Sequence, residues 1–151
     1  MKLAEALVIR ADLQTRINEL ENRLQNNATV QEGEHPAEDP KALIAELGRT
    51  MAELERLITA INLTNAGVKA DGTTMTGLLA RRDCLKRHHS ILRTMLDSAS
   101  IPQHRTRANE IIIKSTVSVP ELQKECDRMA TELRKLELRI QELNWLSELA
   151  E

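Results

Sequence analysis

Apolar residues recur along this chain at alternating intervals of three and four, inside long stretches that proline does not interrupt. That rhythm sits close to the 3.6-residue turn of an α-helix and holds one narrow stripe toward a partner helix. A half-buried strand would need a period of two, so the spacing commits most of the chain to paired helices.

Prolines at positions 36, 40, 102 and 120 divide the stretches. Helix 1 is predicted at about 2–25, with a seam of Ala6, Arg10, Leu13, Ile17, Leu20 and Leu24. Arg10 on that seam must be paired or reach water, and its use there would be to fix register or oligomer state. A polar connection ends at Asp39 and Pro40, an N-cap followed by proline in the first turn. Helix 2 follows at about 40–65 on Ile44, Leu47, Met51, Leu54, Ile58 and Ile61.

The Asp71-Gly72 pair between short extended flanks predicts a small β-hairpin over about 68–75. Thr76 is then placed to cap helix 3, about 77–99, whose stripe is Leu78, Leu85, Leu92 and Ala99 with Leu79, His89 and Leu96 beside it. The β-branched run around Ile111, Ile112, Ile113 and Val117 predicts a third short strand at about 110–117. Ser118 to Glu121 has the form of a capping box. Helix 4 runs from there, about 119–149, on Leu122, Cys126, Met129, Leu133, Leu136, Ile140 and Leu143.

The expected fold is therefore all-α in the main, an antiparallel bundle of four long coiled-coil-like helices with a minor β element. The 151 residues suit a single helical domain. A last helix on the order of 45 Å long exceeds the diameter of a sphere-like fold of this length, roughly 40 Å, so an elongated protomer is expected.

Both ends carry more apolar side chains than their seams use. Leu3, Leu7 and Val8 crowd the start of helix 1, and Trp145, Leu146 and Leu149 the end of helix 4. Antiparallel packing would unite them in one patch, and patches of that kind mark interaction sites, so a homo-oligomer is expected there. Coverage by helices 2 and 3 is the alternative.

Few chemistries are offered. With one Trp and neither Phe nor Tyr, the aromatic walls of ligand pockets and the stacking platforms for single-stranded nucleic acid lose weight. Cys84 and His88 are four apart and share a helix face, with His89 and His104 as conceivable further zinc ligands, but a buried thiol beside a solvated histidine is the plainer reading. The acids Glu32, Glu34, Glu38 and Asp39 fit no calcium loop, and no nucleophile elbow or phosphate loop is present. No catalytic residue, cofactor or metal site is assigned, and an enzyme is not expected.

Charge is uneven. Arg81, Arg82, Lys86, Arg87, Arg93, Arg105 and Arg107 outweigh Asp83 and Asp97, a basic stretch that could hold nucleic-acid phosphates. Residues 32–55 are correspondingly acidic, with seven acids against Lys41 and Arg49. Because helices 2 and 3 are consecutive, mutual neutralisation of the two segments is the expectation and nucleic-acid binding the alternative. The scarcity of cysteine favours a reducing compartment, and no signal peptide or membrane-spanning run is read, so a cytoplasmic protein without membrane contact is expected.

The opening Met1 to Arg16, the Val30 to Pro40 segment, Ala80 to Asp83 and Glu121 to Lys124 together resemble a family of small bacterial proteins, some labelled septicolysin. The resemblance covers nearly the whole chain and is most specific over Val30 to Pro40. It implies a helical, intracellular bacterial protein and no established activity, catalytic residue or cofactor. A pore-forming cytolysin would carry an export signal, an amphipathic inserting segment and an aromatic tip, and the sequence reads against that activity.

Overall fold

The computed structural model describes residues 1–100 and 113–151. Among them lie four helices, α1 (Leu3–Asn26), α2 (Pro40–Gly67), α3 (Met75–Ser100) and α4 (Val119–Leu146), and a hairpin of β1 (Lys69–Ala70) and β2 (Thr73–Thr74). The chain is thus mainly helical. It divides into two compact units, one comprising Met1–Thr74 with Leu143–Glu151, the other Met75–Glu142.

In the first unit α1 starts where the Glu5 carboxylate accepts the Lys2 N–H at 2.8 Å, satisfying a donor the helix leaves free. Every seventh residue of α1 is buried, Ala6, Leu13, Leu20 and finally Asn27. Arg10, Ile17 and Leu24 on the same seam are half-buried, so Arg10 reaches water. The connection to α2 turns at Gly33, whose φ of 89° favours glycine, with the Glu34 N–H donating to the Gln31 carbonyl at 3.0 Å. Asp39 then caps α2 by accepting the Lys41 N–H at 3.0 Å, with Pro40 in the first turn. The helices run antiparallel, since Arg16 reaches Glu46 and Arg23 reaches Glu38.

The buried line of α2 departs from the expected seam in part. Of that seam Ile61 is buried and Leu47, Leu54 and Ile58 are half-buried, but Ile44 and Met51 are 61% and 49% exposed, while Leu43, Thr50 and Thr64 are buried. The seam is rotated toward two threonines, which a reading by apolarity passes over. Each threonine hydroxyl donates to the carbonyl one turn back, Thr50 to Glu46 at 3.0 Å and Thr64 to Ala60 at 2.8 Å. A satisfied hydroxyl lets the threonine methyl pack inside at little cost.

The hairpin pairs Lys69 with Thr74 and Ala70 with Thr73, and Asp71 and Gly72 both take positive φ, 54° and 80°, as a primed two-residue turn requires.

In the second unit α3 begins at Met75, fully buried, so Thr76 lies within the helix rather than capping it. Leu78 and Leu96 are buried along α3, and Arg82, Leu85, His89, Leu92 and Ala99 half-buried. On α4 the predicted seam is the one observed, with Cys126, Met129, Ile140 and Leu143 buried and Leu122, Leu133 and Leu136 half-buried. The first turn of α4 closes through the Ser118 carbonyl, which accepts from the Leu122 N–H at 3.0 Å. Arg81, near the start of α3, reaches Glu132 in the middle of α4 at 2.7 Å.

Two elements end differently from expectation. The third strand is absent over 113–117, where the Ser115 hydroxyl donates to the Val117 carbonyl at 2.9 Å in a local turn and Ile113 is 53% exposed; 110–112 lie outside the described residues. Helix α4 stops at Leu146, and the following residues turn back to form an antiparallel bridge between Glu148 and Lys2.

Candidate functional site

That bridge organises the first unit at the start of α1. The Leu3 N–H donates to the Ser147 carbonyl at 2.9 Å and the Leu149 N–H to the Met1 carbonyl at 2.8 Å. The Lys2 ammonium pairs with the Glu148 carboxylate and also donates to the Leu146 carbonyl at 3.3 Å. Its hydrogen bond holds the Glu148 carboxyl below the usual carboxylate range, although desolvation acts the other way. Beyond the bridge, the Ala150 N–H donates to the Thr64 hydroxyl of α2 at 2.8 Å. The tail is therefore fastened to both α1 and α2.

The fastening decides which terminal apolar residues remain outside. Leu3 is fully buried, so it belongs to the core and not to a surface patch, as the sequence reading had it. Leu7 and Leu149 are half-buried. Val8, Trp145 and Leu146 are exposed by 60%, 60% and 64%, and the Lys2 to Leu146 hydrogen bond sets the last of them beside the α1 start. The exposed apolar side chains of these segments include the chain's single tryptophan.

A second polar clamp closes the α1–α2 connection. The buried Asn27 side chain donates to the Arg23 carbonyl at 2.8 Å and accepts the Glu38 N–H at 2.9 Å. The Glu38 carboxylate takes a two-pronged grip from Arg23, at 3.0 Å from Nε and 2.6 Å from the terminal nitrogen. That contact pulls the Glu38 carboxyl down and the Arg23 guanidinium up. Arg16 lowers Glu46 in the same way.

Among the described residues the ion pairs of the acidic and basic segments lie within each unit. Glu38 and Glu46 face arginines of α1, while on the basic stretch Arg81 takes Glu132, Arg82 its neighbour Asp83, and Arg93 takes Asp97. Arg81, Arg82 and Arg93 thus each take a carboxylate on α3 itself or on α4. Lys86 and Arg87 stand exposed, and Arg105 and Arg107, like His104, lie outside the described residues.

Cys84 is exposed, not buried, because it lies on the side of α3 away from Leu78 and Leu85; Cys126 is the buried thiol. A surface groove of about 480 Å³ runs over Asp83, Cys84, Arg87, His88 and Ile91. Glu125, on the paired helix, is held low chiefly by its hydrogen bond to Arg128, with His88 adding to the effect. Among the described residues no three His, Cys, Asp or Glu side chains converge to hold a metal ion, and every buried side-chain nitrogen and oxygen has a hydrogen-bond partner. No helix of the described residues is long and apolar enough to cross a membrane.

The features described are surfaces on a helical scaffold. The chain belongs to the family of unknown function DUF6847, whose family model matches residues 10–149. It is also similar to a solved structure, a functionally unknown conserved protein from Corynebacterium diphtheriae, at 36% identity and a TM-score of 0.92 over 99% of this chain and 98% of that one. No curated protein matches. Neither description carries the septicolysin label that the sequence resemblance brought with it.

Proposed function

We propose that this is a non-catalytic assembly or interaction protein that associates with copies of itself through the face bearing Val8, Trp145 and Leu146. The observation that carries the reading is the exposure of Trp145 and Leu146 beside a tail fastened at both Lys2 and Thr64. A fastened backbone presents its apolar side chains in one arrangement, which lowers the entropy lost on association. Large exposed aromatics are unusual on a surface that stays wet and common at the centre of interfaces. The free, exposed thiol of Cys84 suits work in a reducing compartment, in keeping with a cytoplasmic protein.

Native mass spectrometry of the full chain in EDTA tests the reading. A multimer is expected, reduced to single chains by Trp145→Glu with Leu146→Glu. A wild-type particle of one chain, or a multimer that survives both substitutions, contradicts it. Nucleic acid travelling with the protein, lost when Lys86 and Arg87 are neutralised and weakened steeply by salt, would support binding through the basic stretch instead.

A further inference from the structure

One face of α3 has no use in the fold described above. Cys84, His88, Ile91 and Met95 follow one another at intervals of four, three and four, and all four are exposed. Residues three and four apart are neighbours on a helix surface, so they form one continuous line. The carboxylates close to it are already engaged, Asp83 by Arg82 and Glu125 by Arg128. The donors left open on the line are a thiol and an imidazole, one helical turn apart.

Thiolate sulfur and imidazole nitrogen are the ligands Zn²⁺ prefers, and a closed site takes four of them in a tetrahedron. One α3 supplies two, and among the described residues no third ligand of the same chain joins them. We propose that Cys84 and His88 are one half of a zinc site that the same two residues of a second copy complete, as Cys₂His₂. The second copy is the occupant because the missing ligands are the pair this face already carries, and because Ile91 (54% exposed) and Met95 (42% exposed) continue the line with apolar surface for a like helix to cover.

Charge agrees with that stoichiometry. On binding, each thiol releases one proton to solvent and each imidazole coordinates through the lone pair of its neutral ring, so two thiolates cancel the charge of one Zn²⁺. The filled site is neutral and places no added cation against Arg87.

The test uses the full chain in EDTA and then with ZnCl₂, followed by native mass spectrometry and light scattering. The mass in EDTA reports the Trp145 face, and the increment with zinc reports this site, so the two can fail separately. The expected result is one zinc bound per two chains with a rise in particle mass above the EDTA value. Cys84→Ser and His88→Ala should each cut zinc uptake at least tenfold and remove the increment; both positions are exposed, and helical circular dichroism confirms that the variants fold. Cobalt in place of zinc should give sulfur-to-metal absorption that Cys84→Ser loses. No zinc uptake, zinc bound to single chains without a mass change, or uptake undiminished in Cys84→Ser would each overturn the proposal.

Discussion

Single residues fasten the segments that the helical seams leave loose. Thr64 is the clearest case, since its hydroxyl donates to Ala60 and accepts from Ala150 while buried in α2. Thr64→Val keeps the volume and removes both bonds, leaving the Ala150 N–H without its acceptor. The expected cost is about 1–2 kcal/mol of stability, read by urea denaturation, with faster amide exchange in residues 147–151. Glu38 works similarly on the α1–α2 connection. Its folded carboxyl lies below the usual range because Arg23 bonds its ionised form, so its contribution is present above the unfolded carboxyl pKa, roughly 4.3, and fades as pH falls through the lower folded value. Glu38→Gln should therefore loosen the amides of residues 28–38 at neutral pH and flatten their acid dependence. Amide exchange followed across acid pH checks both. Neither contact was legible beforehand: each joins positions far apart in sequence, and a threonine or a loop glutamate has no periodicity to betray it.

At the scale of elements, how far periodicity could be trusted depended on how unambiguous each stripe was. On α4 the seam residues are apolar at nearly every step and polar residues crowd the rest, so Cys126, Met129, Ile140 and Leu143 were read correctly. On α2 two apolar lines run side by side, and the sequence offers no means of choosing between Ile44–Met51–Ile58 and Leu43–Thr50–Leu57. The Arg16–Glu46 and Arg23–Glu38 pairs favour the second, since they fix which side of α2 meets α1. Alanine substitution separates the two registers. Leu43→Ala should cost about 2–5 kcal/mol, as buried leucines do, and Ile44→Ala should stay within about 0.5 kcal/mol, as exposed positions do. Comparable losses at both positions would place the seam where the sequence first put it. The Asp71-Gly72 turn was legible because its backbone demand is local. Over 113–117 the third strand was misread because β-branched composition says nothing of whether a partner strand exists.

At the scale of the whole molecule, what matters is apolar surface that the fold leaves exposed at Val8, Trp145 and Leu146. The terminal patch was partly legible, because surplus leucines and the single tryptophan stood out against regular seams. What the sequence could not show was the tail pairing with the start of α1 through Ser147 and Leu149, with Leu3 buried and Trp145 and Leu146 exposed. Membership of DUF6847 and the match to the Corynebacterium diphtheriae structure establish kinship over nearly the full length, and both relatives are of unknown function. The proposed role accordingly rests on the residues themselves. Trp145 makes it measurable, being the only Trp in a chain without Tyr or Phe, so all intrinsic fluorescence reports on that one side chain. Its emission, followed over a dilution series in EDTA, tests self-association directly. The account predicts blue-shifted emission at high concentration that moves to the red on dilution, and red emission throughout in Leu146→Glu. Emission of a water-exposed indole at every concentration of the wild-type chain would contradict it.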